Sequence, residues 1–387
     1  GGRRRGRRED EDSDADADLL IRSLKGANIN FTHLRVWHKE DYIARINDYH
    51  PDLIIADHTL PQFNGMEAFR LLKNEKKNIP FILVTGTLSE SFLAEYAKEG
   101  IDDYLLKDNL LRLPSAIENV VNKKRIEKLY TDLEGAYKEI KDSINYARII
   151  QDTMFSDASA LRETFPKSFI LFKPKDVLSG DFYWFKKKEN RFFIAVADCT
   201  GHGIPGALLS MLGFNMLYEA VDTKKTIHPS EVLDILNKQF RRISSSNKTK
   251  IHDGMDLLVC SIDLENRTLM YAGANRPLFI VRDEELLEFK PDKVSISGTE
   301  NLETEFTNNT IKIKTGDRIF LFSDGYIGQF HFKTNKKITS NRFRKLLIRS
   351  SSLPVDTQEN LINVFFDEWK GDKEQVDDVL LICIQIL

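Results

Sequence analysis

The sequence predicts an α/β region followed by an α+β region, with a long helix between them. Residues 19–121 alternate helical segments with short, nearly all-apolar strands, which is typical of a doubly wound parallel sheet. Residues 159–387 contain runs of strands and grouped helices, which is typical of an α+β domain with a largely antiparallel core. The segment 122–158 is predicted as a linker helix, because residues 122–154 contain no proline and one glycine.

Composition restricts the function classes. The chain has 387 residues, enough for two or three domains, and its net charge of −3 gives no general attraction to nucleic acid. No apolar run reaches the length of a membrane span, and no secretory signal follows the N-terminal arginines. The three cysteines are widely spaced and form no zinc pattern, which predicts a reducing, cytoplasmic setting. We therefore expect neither a nucleic-acid partner nor a membrane.

The first region has a regular order of elements. Residues 1–18 read GGRRRGRREDEDSDADAD and are predicted as a charged tail or a degenerate first strand. Helical patterns follow in DLLIRSLKGA, DYIARINDYH, MEAFRLLKNEK and ESFLAEYAKEG, with a last helix from about Leu113. Strands are predicted in LRVW, PDLIIAD, IPFILVTG and DYLLK.

Three polar residues end strands of this sheet. Asp57 ends LIIAD, Thr85 ends FILVT and Lys107 ends YLLK. Because ligands of such sheets gather at the carboxyl ends of the strands, these side chains are expected to converge. Residues 10–120, including LPQFNGMEA and LLKDNLLRLPSAI, resemble the flavodoxin-like receiver domain of bacterial response regulators.

The resemblance implies a role for each of these residues. Asp57 would accept a phosphoryl group from an upstream histidine kinase or another phosphodonor, and Thr85 and Lys107 would contact the phosphoryl oxygens. Glu11 and Asp12 are the best match for the acidic pair that holds one Mg²⁺ in this family.

The segment before that acidic pair departs from the family pattern. A receiver's first strand is apolar and central, whereas five arginines fall within residues 3–8 here. Burying them would cost several kcal/mol each, so residues 1–10 are not expected to form a buried strand. Two readings stay open: an intact phosphorylatable receiver, or a degenerate receiver used for dimerisation or docking.

The linker carries a strict heptad pattern. Apolar or small residues recur at spacings of three and four over more than four heptads: Ile126, Leu129, Leu133, Ala136, Ile140, Ser143, Ala147, Ile150 and Met154. This period predicts a parallel two-stranded coiled coil and hence a homodimer through residues 122–154. The alternative is an amphipathic helix packed on its own domain.

Four aspartates of the second region lie at strand ends. They are Asp181 in SGDFYWF, Asp198 in AVADCTGHG, Asp324 in LFSDGYIGQF and Asp377 in VDDVLLICI. A lone aspartate there is an ordinary turn residue. Four together predict a shared hard-cation site and a metal-dependent hydrolase.

The motifs PKDVLSGDFYW, ADCTGHGIPGALLSMLG, DGMDLLVCSID, GANRPL, FSDGYIGQF and VDDVLL resemble those of PPM-type bacterial serine/threonine phosphatases of the SpoIIE-like branch. This resemblance implies an αββα sandwich with two Mn²⁺ or Mg²⁺ ions. Asp198 would bridge them with help from the Cys199 carbonyl, Asp324 and Asp377 would complete the pair, and Asp181 would support one ion.

Two further positions bear on the chemistry. His202 is either a proton donor or a turn residue near the site, and Gly328 replaces an acidic residue that many relatives use for a third metal. Neither Cys199 nor Cys260 has an arginine six residues on, and no Gly-Lys-Ser/Thr is present, which argues against a cysteine nucleophile and a P-loop.

Together the two resemblances predict a response regulator whose output is a protein phosphatase. The substrate would be a phosphoserine or phosphothreonine on a small regulatory protein, such as an anti-anti-sigma factor. Two alternatives remain: a non-catalytic partner-binding scaffold, and a constitutive phosphatase with a defective receiver.

Overall fold

The computed structural model describes residues 3–59, 63–87, 89–155, 158–223, 226–245, 253–297 and 305–387. The chain divides into two compact units, Gly1–Glu139 and Ile140–Leu387. The division falls inside one long helix, so the proposed domain boundaries at 121 and 158 stay predictions.

The first unit is a parallel sheet with helices on both faces. Its elements are α1 (Arg3–Gly26), α2 (Lys39–Asp48), β1 (Ile54–Asp57), α3 (Gly65–Asn74), β2 (Phe81–Thr85), α4 (Glu90–Glu99), β3 (Asp103–Leu106), a 3-10 turn (Lys107–Arg112) and α5 (Leu113–Met154). The strands lie side by side in the order β1-β2-β3, all parallel.

Alternate residues of the central strand β2 face opposite sides of the sheet. Phe81 and Leu83 pack with residues of α2, α3 and α4, while Ile82 and Val84 pack with Leu24 of α1 and with the start of α5. The doubly wound arrangement predicted from the sequence is therefore confirmed.

The N-terminal segment is helical. Helix α1 begins at Arg3, so residues 3–10 are helical and form no strand, as their arginines predicted. The prediction of a strand in LRVW is wrong, because no strand is present between residues 27 and 53. Val36 packs on one face of the sheet while Ile29 and Phe31 pack on the other, so this segment wraps an edge instead of extending the ladder.

Helix α5 joins two elements that the sequence suggested separately, because the helix from Leu113 runs without a break to Met154. Its first turns are buried through Leu113, Ala116 and Val120. Beyond them, apolar side chains lie exposed along the helix: Ile126, Leu129, Tyr130, Leu133, Tyr137, Ile140, Tyr146, Ile149 and Ile150.

The second unit contains two stacked sheets. Its helices are α6 (Ala158–Thr164), α7 (Gly203–Tyr218, continued by a π turn to Thr223), α8 (Pro229–Ser245), α9 (Gly325–Gly328), α10 (Ser340–Ser350) and α11 (Val355–Lys370). Its strands are β4 (Ser168–Lys173), β5 (Phe182–Lys188), β6 (Arg191–Cys199), β7 (Gly254–Asp263), β8 (Thr268–Ala274), β9 (Leu278–Arg282), β10 (Glu285–Phe289), β11 (Ile296–Ser297), β12 (Asn309–Lys312), β13 (Arg318–Phe322) and β14 (Val379–Gln385).

Four layers result from this order. One sheet runs β12-β8-β7-β6-β5, with β11 beside β7, and the other runs β10-β9-β13-β14-β4. Ile194 and Leu258 of the first sheet share a core with Ile319 and Leu380 of the second. Helices α7 and α8 cover the first sheet, and α10 and α11 cover the second. This is the expected αββα sandwich.

A proline separates the two helices that cover the second sheet. Helix α10 ends at Ser350 and α11 begins at Val355, because Pro354 at the N-cap of α11 cannot continue α10. Strands β10 and β12 lie at sheet edges, and β11 is a two-residue strand beside β7.

One helical stretch within the described ranges, Gly203–Thr223, is long and apolar enough for a membrane span by composition. Half of its apolar window is buried inside the protein, and residues of α7 pack into the core beside β6 and β7. Those contacts are typical of a core helix.

Candidate functional site

Lys107 and Asp57 meet at the carboxyl edge of the parallel sheet. The Lys107 Nζ lies 2.6 Å from Asp57 Oδ2 and 2.6 Å from Asp16 Oδ2. The other Asp57 oxygen, Oδ1, accepts the backbone N–H of Thr59 at 3.0 Å. Asp57 also lies under the start of α3, where a Cβ on Gly65 would fall 2.9 Å from the Asp57 carbonyl oxygen.

Thr85 is one step along the neighbouring strand, since Asp57 pairs with Val84 in the β1–β2 register. Its hydroxyl donates to the carbonyl of Thr87 at 3.0 Å. Partial burial alone would lower the pKa of Lys107, but its hydrogen bonds to Asp16 and Asp57 and their charges outweigh burial and raise that pKa. The ammonium therefore stays charged between the carboxylates.

An acidic residue that the sequence analysis did not single out also reaches this cluster. Asp16 of α1, one helical turn after Asp12, contacts Lys107. Glu11 and Asp12 lie on the same helix, where the structure describes the backbone but not their side chains, so their role as Mg²⁺ ligands stays a prediction. The acidic run was visible in the sequence, but the resemblance pointed to Glu11 and Asp12, and nothing in the spacing of the run singled out Asp16.

Strand pairing brings the four aspartates of the second unit to one end of the sandwich. Asp181 precedes β5 and Asp198 ends β6, and these strands pair with Phe182 opposite Ala197. Asp324 follows β13 and Asp377 precedes β14, and these strands pair with Phe322 opposite Leu381. Each sheet therefore contributes two carboxylates.

Close backbone packing positions the second pair. A Cβ on Gly325 would fall 1.9 Å from the carbonyl oxygen of Asp378 and 3.3 Å from the Cβ of Asp377. Only glycine permits this approach, which sets Asp324 beside the Asp377–Asp378 pair. The glycine directly after Asp324 in the sequence was a usable signal of such packing.

The structure separates the roles of Asp377 and Asp378. Asp378 is buried, and both of its carboxylate oxygens accept hydrogen bonds from the backbone. Oδ1 accepts from Lys175 N at 2.7 Å and Oδ2 from Gly180 N at 2.7 Å. Asp377 is half-buried, and its Oδ1 accepts the N–H of Asp378 at 2.9 Å. Asp378 therefore ties β14 to the loop before Asp181, and Asp377 stays the predicted ligand.

Arg276, which the sequence analysis did not single out, lies among these carboxylates. Its Nη2 is 2.6 Å from Asp198 Oδ2, 3.3 Å from Asp324 Oδ2 and 3.3 Å from Asp256 Oδ2. The GANRPL motif contained this residue, but nothing in its spacing showed that the β8–β9 turn would meet the end of β6.

Burial and mutual repulsion raise the carboxylate pKa values. Burial is the main cause for Asp198, whose pKa rises to about 7 although the Arg276 charge opposes the shift and Asp324 and Asp377 add to it. Burial, then the charge of Asp198, raises the pKa of Asp181. Burial also raises that of Asp377.

The donor set fits a hard divalent cation. Asp181 is 2% exposed, and its Oδ2 is buried without a hydrogen-bond partner in the described part of the chain. A buried, unpaired carboxylate oxygen beside other carboxylates is costly unless a cation neutralises it. As the side chains stand, no three His, Cys, Asp or Glu residues of the described ranges are grouped as a metal site. Arg276 contacts both Asp198 and Asp324 in this arrangement.

The Cys199 carbonyl lies in the same tight corner. A Cβ on Gly180 would fall 3.3 Å from that oxygen and 2.7 Å from the Gly201 carbonyl oxygen. The Cys199 thiol is fully buried, which raises its pKa well above its usual range. A thiolate nucleophile is therefore disfavoured, while the carbonyl stays a predicted ligand.

His202 at the start of α7 has a specific partner. Its Nδ1 lies 2.6 Å from Asp176 Oδ2, and both side chains are substantially exposed. Asp176 follows Lys175, whose N–H binds Asp378. The His202–Asp176 pair thus lies at the rim of the carboxylate site. Both predicted roles of His202, as a proton donor and as a turn residue, remain open.

The fold and the strand-end carboxylates define the class: a PPM-type phosphatase domain that follows a receiver-type α/β domain. The family model for Stage II sporulation protein E (SpoIIE) matches residues 188–387, and that for the response regulator receiver domain matches residues 11–118. The chain belongs to the SpoIIE family, a metal-dependent phosphatase family, and carries a receiver domain.

Individual proteins are similar to parts of this chain. The chain is 26% identical over 196 residues to Phosphoserine phosphatase RsbU of Bacillus subtilis (strain 168), covering 50% of this chain and 56% of that protein. It is 22% identical over 253 residues to Regulator of RpoS of Escherichia coli (strain K12), covering 62% and 73%. The solved SiaA-PP2C domain of Pseudomonas aeruginosa is 29% identical with a TM-score of 0.59, covering 65% of this chain and 99% of that one.

Proposed function

We propose that this chain is a metal-dependent protein serine/threonine phosphatase controlled by phosphorylation of its receiver at Asp57. The observation that supports it most is the convergence of Asp198 and Asp324 on one nitrogen of Arg276, with the buried, unpaired oxygen of Asp181 nearby. Such a carboxylate cluster at a sandwich end suits divalent cations and not a nucleophile-based scheme.

In the proposed site, Asp198, Asp324 and Asp377 would hold two Mn²⁺ or Mg²⁺ ions, with Asp181 and the Cys199 carbonyl in support. When bound, such a pair supplies Lewis-acid chemistry that neutralises a phosphomonoester and activates a water. The chain's own contribution is rigidity: Asp378 fixes the loop before Asp181, and the Gly325 contact fixes Asp324. Ligands held in this way need no reorganisation during the reaction.

The proposed substrate is a phosphoserine or phosphothreonine on a small regulatory protein, such as an anti-anti-sigma factor, in the cytoplasm. The support is the likeness to a protein named a phosphoserine phosphatase. The proposed input is a histidine kinase or another phosphodonor, and the receiver would use one Mg²⁺ near Asp57.

Helix α5 is the proposed route of control. Its exposed apolar row, including Leu129, Leu133 and Ile140, suits a parallel pairing with the same helix of a second copy. At its far end Gln151 is 2% exposed, donates to the Ser179 carbonyl at 2.7 Å and accepts the Ser179 N–H at 3.1 Å. A shift of the helix would therefore move the loop that precedes Asp181.

Hydrolysis of p-nitrophenyl phosphate tests the enzymatic proposal. We expect turnover with Mn²⁺ or Mg²⁺, loss of turnover on chelation with EDTA, and recovery when the metal is restored. A protein that binds Mn²⁺ but hydrolyses neither this ester nor a phosphoserine peptide would be a partner-binding scaffold. Equal rates with and without acetyl phosphate would mark a constitutive phosphatase with a defective receiver.

A further inference from the structure

Arg276 is the cation that neutralises the carboxylate site in this structure. It is 8% exposed, and one nitrogen of its guanidinium contacts Asp198, Asp324 and Asp256 together. Its Nε is buried and has no hydrogen-bond partner among the described residues. An arginine that forms a stable structural pair normally engages its fork in two parallel bonds, as Arg282 does with Asp317.

The turn that carries Arg276 is rigid. Asn275 adopts a left-handed φ of 57°, and its backbone N–H donates to the Asp292 carbonyl at 2.8 Å. A Cβ on Gly273 would fall 2.3 Å from the carbonyl oxygen of Arg276, so the turn closes more tightly than any other residue would allow. This rigid turn therefore holds the guanidinium of Arg276 at the carboxylate cluster.

Asp256 offers the guanidinium a second place. It lies on β7 opposite Asp198, and its Oδ1 accepts from Asn275 Nδ2 at 3.0 Å and from Ser295 Oγ at 2.7 Å. These donors hold the Asp256 carboxylate still while Oδ2 faces Arg276 at 3.3 Å. A guanidinium released from Asp198 and Asp324 would keep this partner and stay buried beside the site.

We propose that Arg276 is an internal counter-cation of the metal site, which a divalent ion displaces from Asp198 and Asp324 onto Asp256. The inference rests on the proposed metal site. The physical reason is competition: the Asp198 oxygen that lies 2.6 Å from Arg276 cannot also bind a divalent ion while the guanidinium remains there. Arg276 therefore stabilises the metal-free protein and weakens metal binding by the same contacts.

Isothermal titration of the full chain with Mn²⁺, combined with thermal unfolding, tests this inference. Arg276→Met removes the charge but keeps an apolar stem, and we expect it to bind Mn²⁺ at least roughly tenfold more tightly. Its unfolding temperature should fall below that of the wild type without metal, and the gap should close at saturating Mn²⁺. Arg276→Lys, which keeps a cation, should bind Mn²⁺ like the wild type.

Arg282→Met is the matched control, because Arg282 also pairs with a buried aspartate but at the other end of β9. We expect its Mn²⁺ affinity to be unchanged, and its loss of stability to be the same with and without metal. Unchanged or weaker Mn²⁺ binding by Arg276→Met would overturn the inference. So would a loss of stability that Mn²⁺ does not reduce.

Asp256→Asn gives a second, independent measurement that does not require Arg276→Met to fold. With Asp256 neutral, the guanidinium has only Asp198 and Asp324, so Mn²⁺ should bind more weakly; in an Arg276→Gln background the same change should have little effect. Equal weakening in both backgrounds would refute displacement onto Asp256. Absence of Mn²⁺ binding by the wild type would instead refute the proposed metal site, and the inference with it.

Discussion

In both carboxylate sites of this chain, one basic side chain bridges two or more carboxylates, but the two sites differ in burial. In the receiver, Lys107 bridges Asp57 and Asp16 with side chains that are 28%, 20% and 36% exposed. In the phosphatase domain, the Arg276 side chain is 10% exposed and bridges Asp198, Asp256 and Asp324, whose side chains are 17%, 25% and 61% exposed, and the nearby Asp181 is 2% exposed. Water can compensate the receiver's charges and that of Asp324 in part, whereas the buried Asp181 and Asp198 depend on a cation.

The largest effect that this comparison predicts is loss of turnover from the buried site. Asp198→Ala or Asp324→Ala should reduce hydrolysis to less than roughly a tenth of the wild-type rate, because such ligands supply several kcal/mol of transition-state stabilisation. Folding, followed by circular dichroism, should change little. Asp372→Ala, at an exposed turn residue, is the control and should keep full activity. If Asp198→Ala or Asp324→Ala keeps more than roughly a tenth of the wild-type rate, the substituted aspartate is not a metal ligand.

The receiver should fail in a different way. Asp57→Asn should abolish labelling by a small-molecule phosphodonor, because the acceptor carboxylate is gone, while metal-dependent hydrolysis by the phosphatase domain persists. Labelling is measured by intact-protein mass spectrometry, with Asp103→Asn as a control on the same sheet. If Asp57→Asn is labelled as well as the wild type, the assignment of the phosphoacceptor is wrong.

The helix between the two sites should couple them through dimerisation. Ile140→Asp and Ile150→Asp place a charge in the apolar row of α5, so each should dissociate the dimer and make hydrolysis insensitive to the phosphodonor. Lys138→Asp, outside that row, should remain dimeric. Light scattering at micromolar concentration measures both. A monomeric wild type, or a dimer that survives both isoleucine substitutions, would contradict the coiled coil.

The smallest expected effect is a pH dependence specific to the buried site. Because the folded pKa of Asp198 is about 7 and its ordinary value is 3.8, the folded state keeps a proton that the unfolded state loses in this window. The stability of the EDTA-treated protein should therefore fall as pH rises from about 4 to about 7. Thermal unfolding should show this trend, saturating Mn²⁺ should remove it, and Asp198→Asn should weaken it. A flat profile for the metal-free wild type would contradict the raised pKa of Asp198.

Much of this architecture was readable in the sequence because it depends on local periodicity. The apolar runs of β2 and β6, the heptads of α5 and the aspartates at strand ends are patterns that span only a few neighbouring residues. They predicted both folds and the aspartates that strand pairing brings to one end of the sandwich. The convergence of Lys107 with Asp57 also followed, since parallel strands end at a common edge.

Tertiary structure alone decided which groups neutralise these carboxylates. Arg276 is 78 residues from Asp198, and Asp16 is 91 residues from Lys107, so no spacing rule links them. Gln151 reads as an ordinary polar position of a helix until its contact with Ser179, 28 residues away, is seen. The sequence also did not predict that α1 starts at Arg3, because a charged segment has no apolar periodicity from which a helix could be recognised. Charge neutralisation in a buried site depends on distance in space, and that distance is set by the packing of the whole chain.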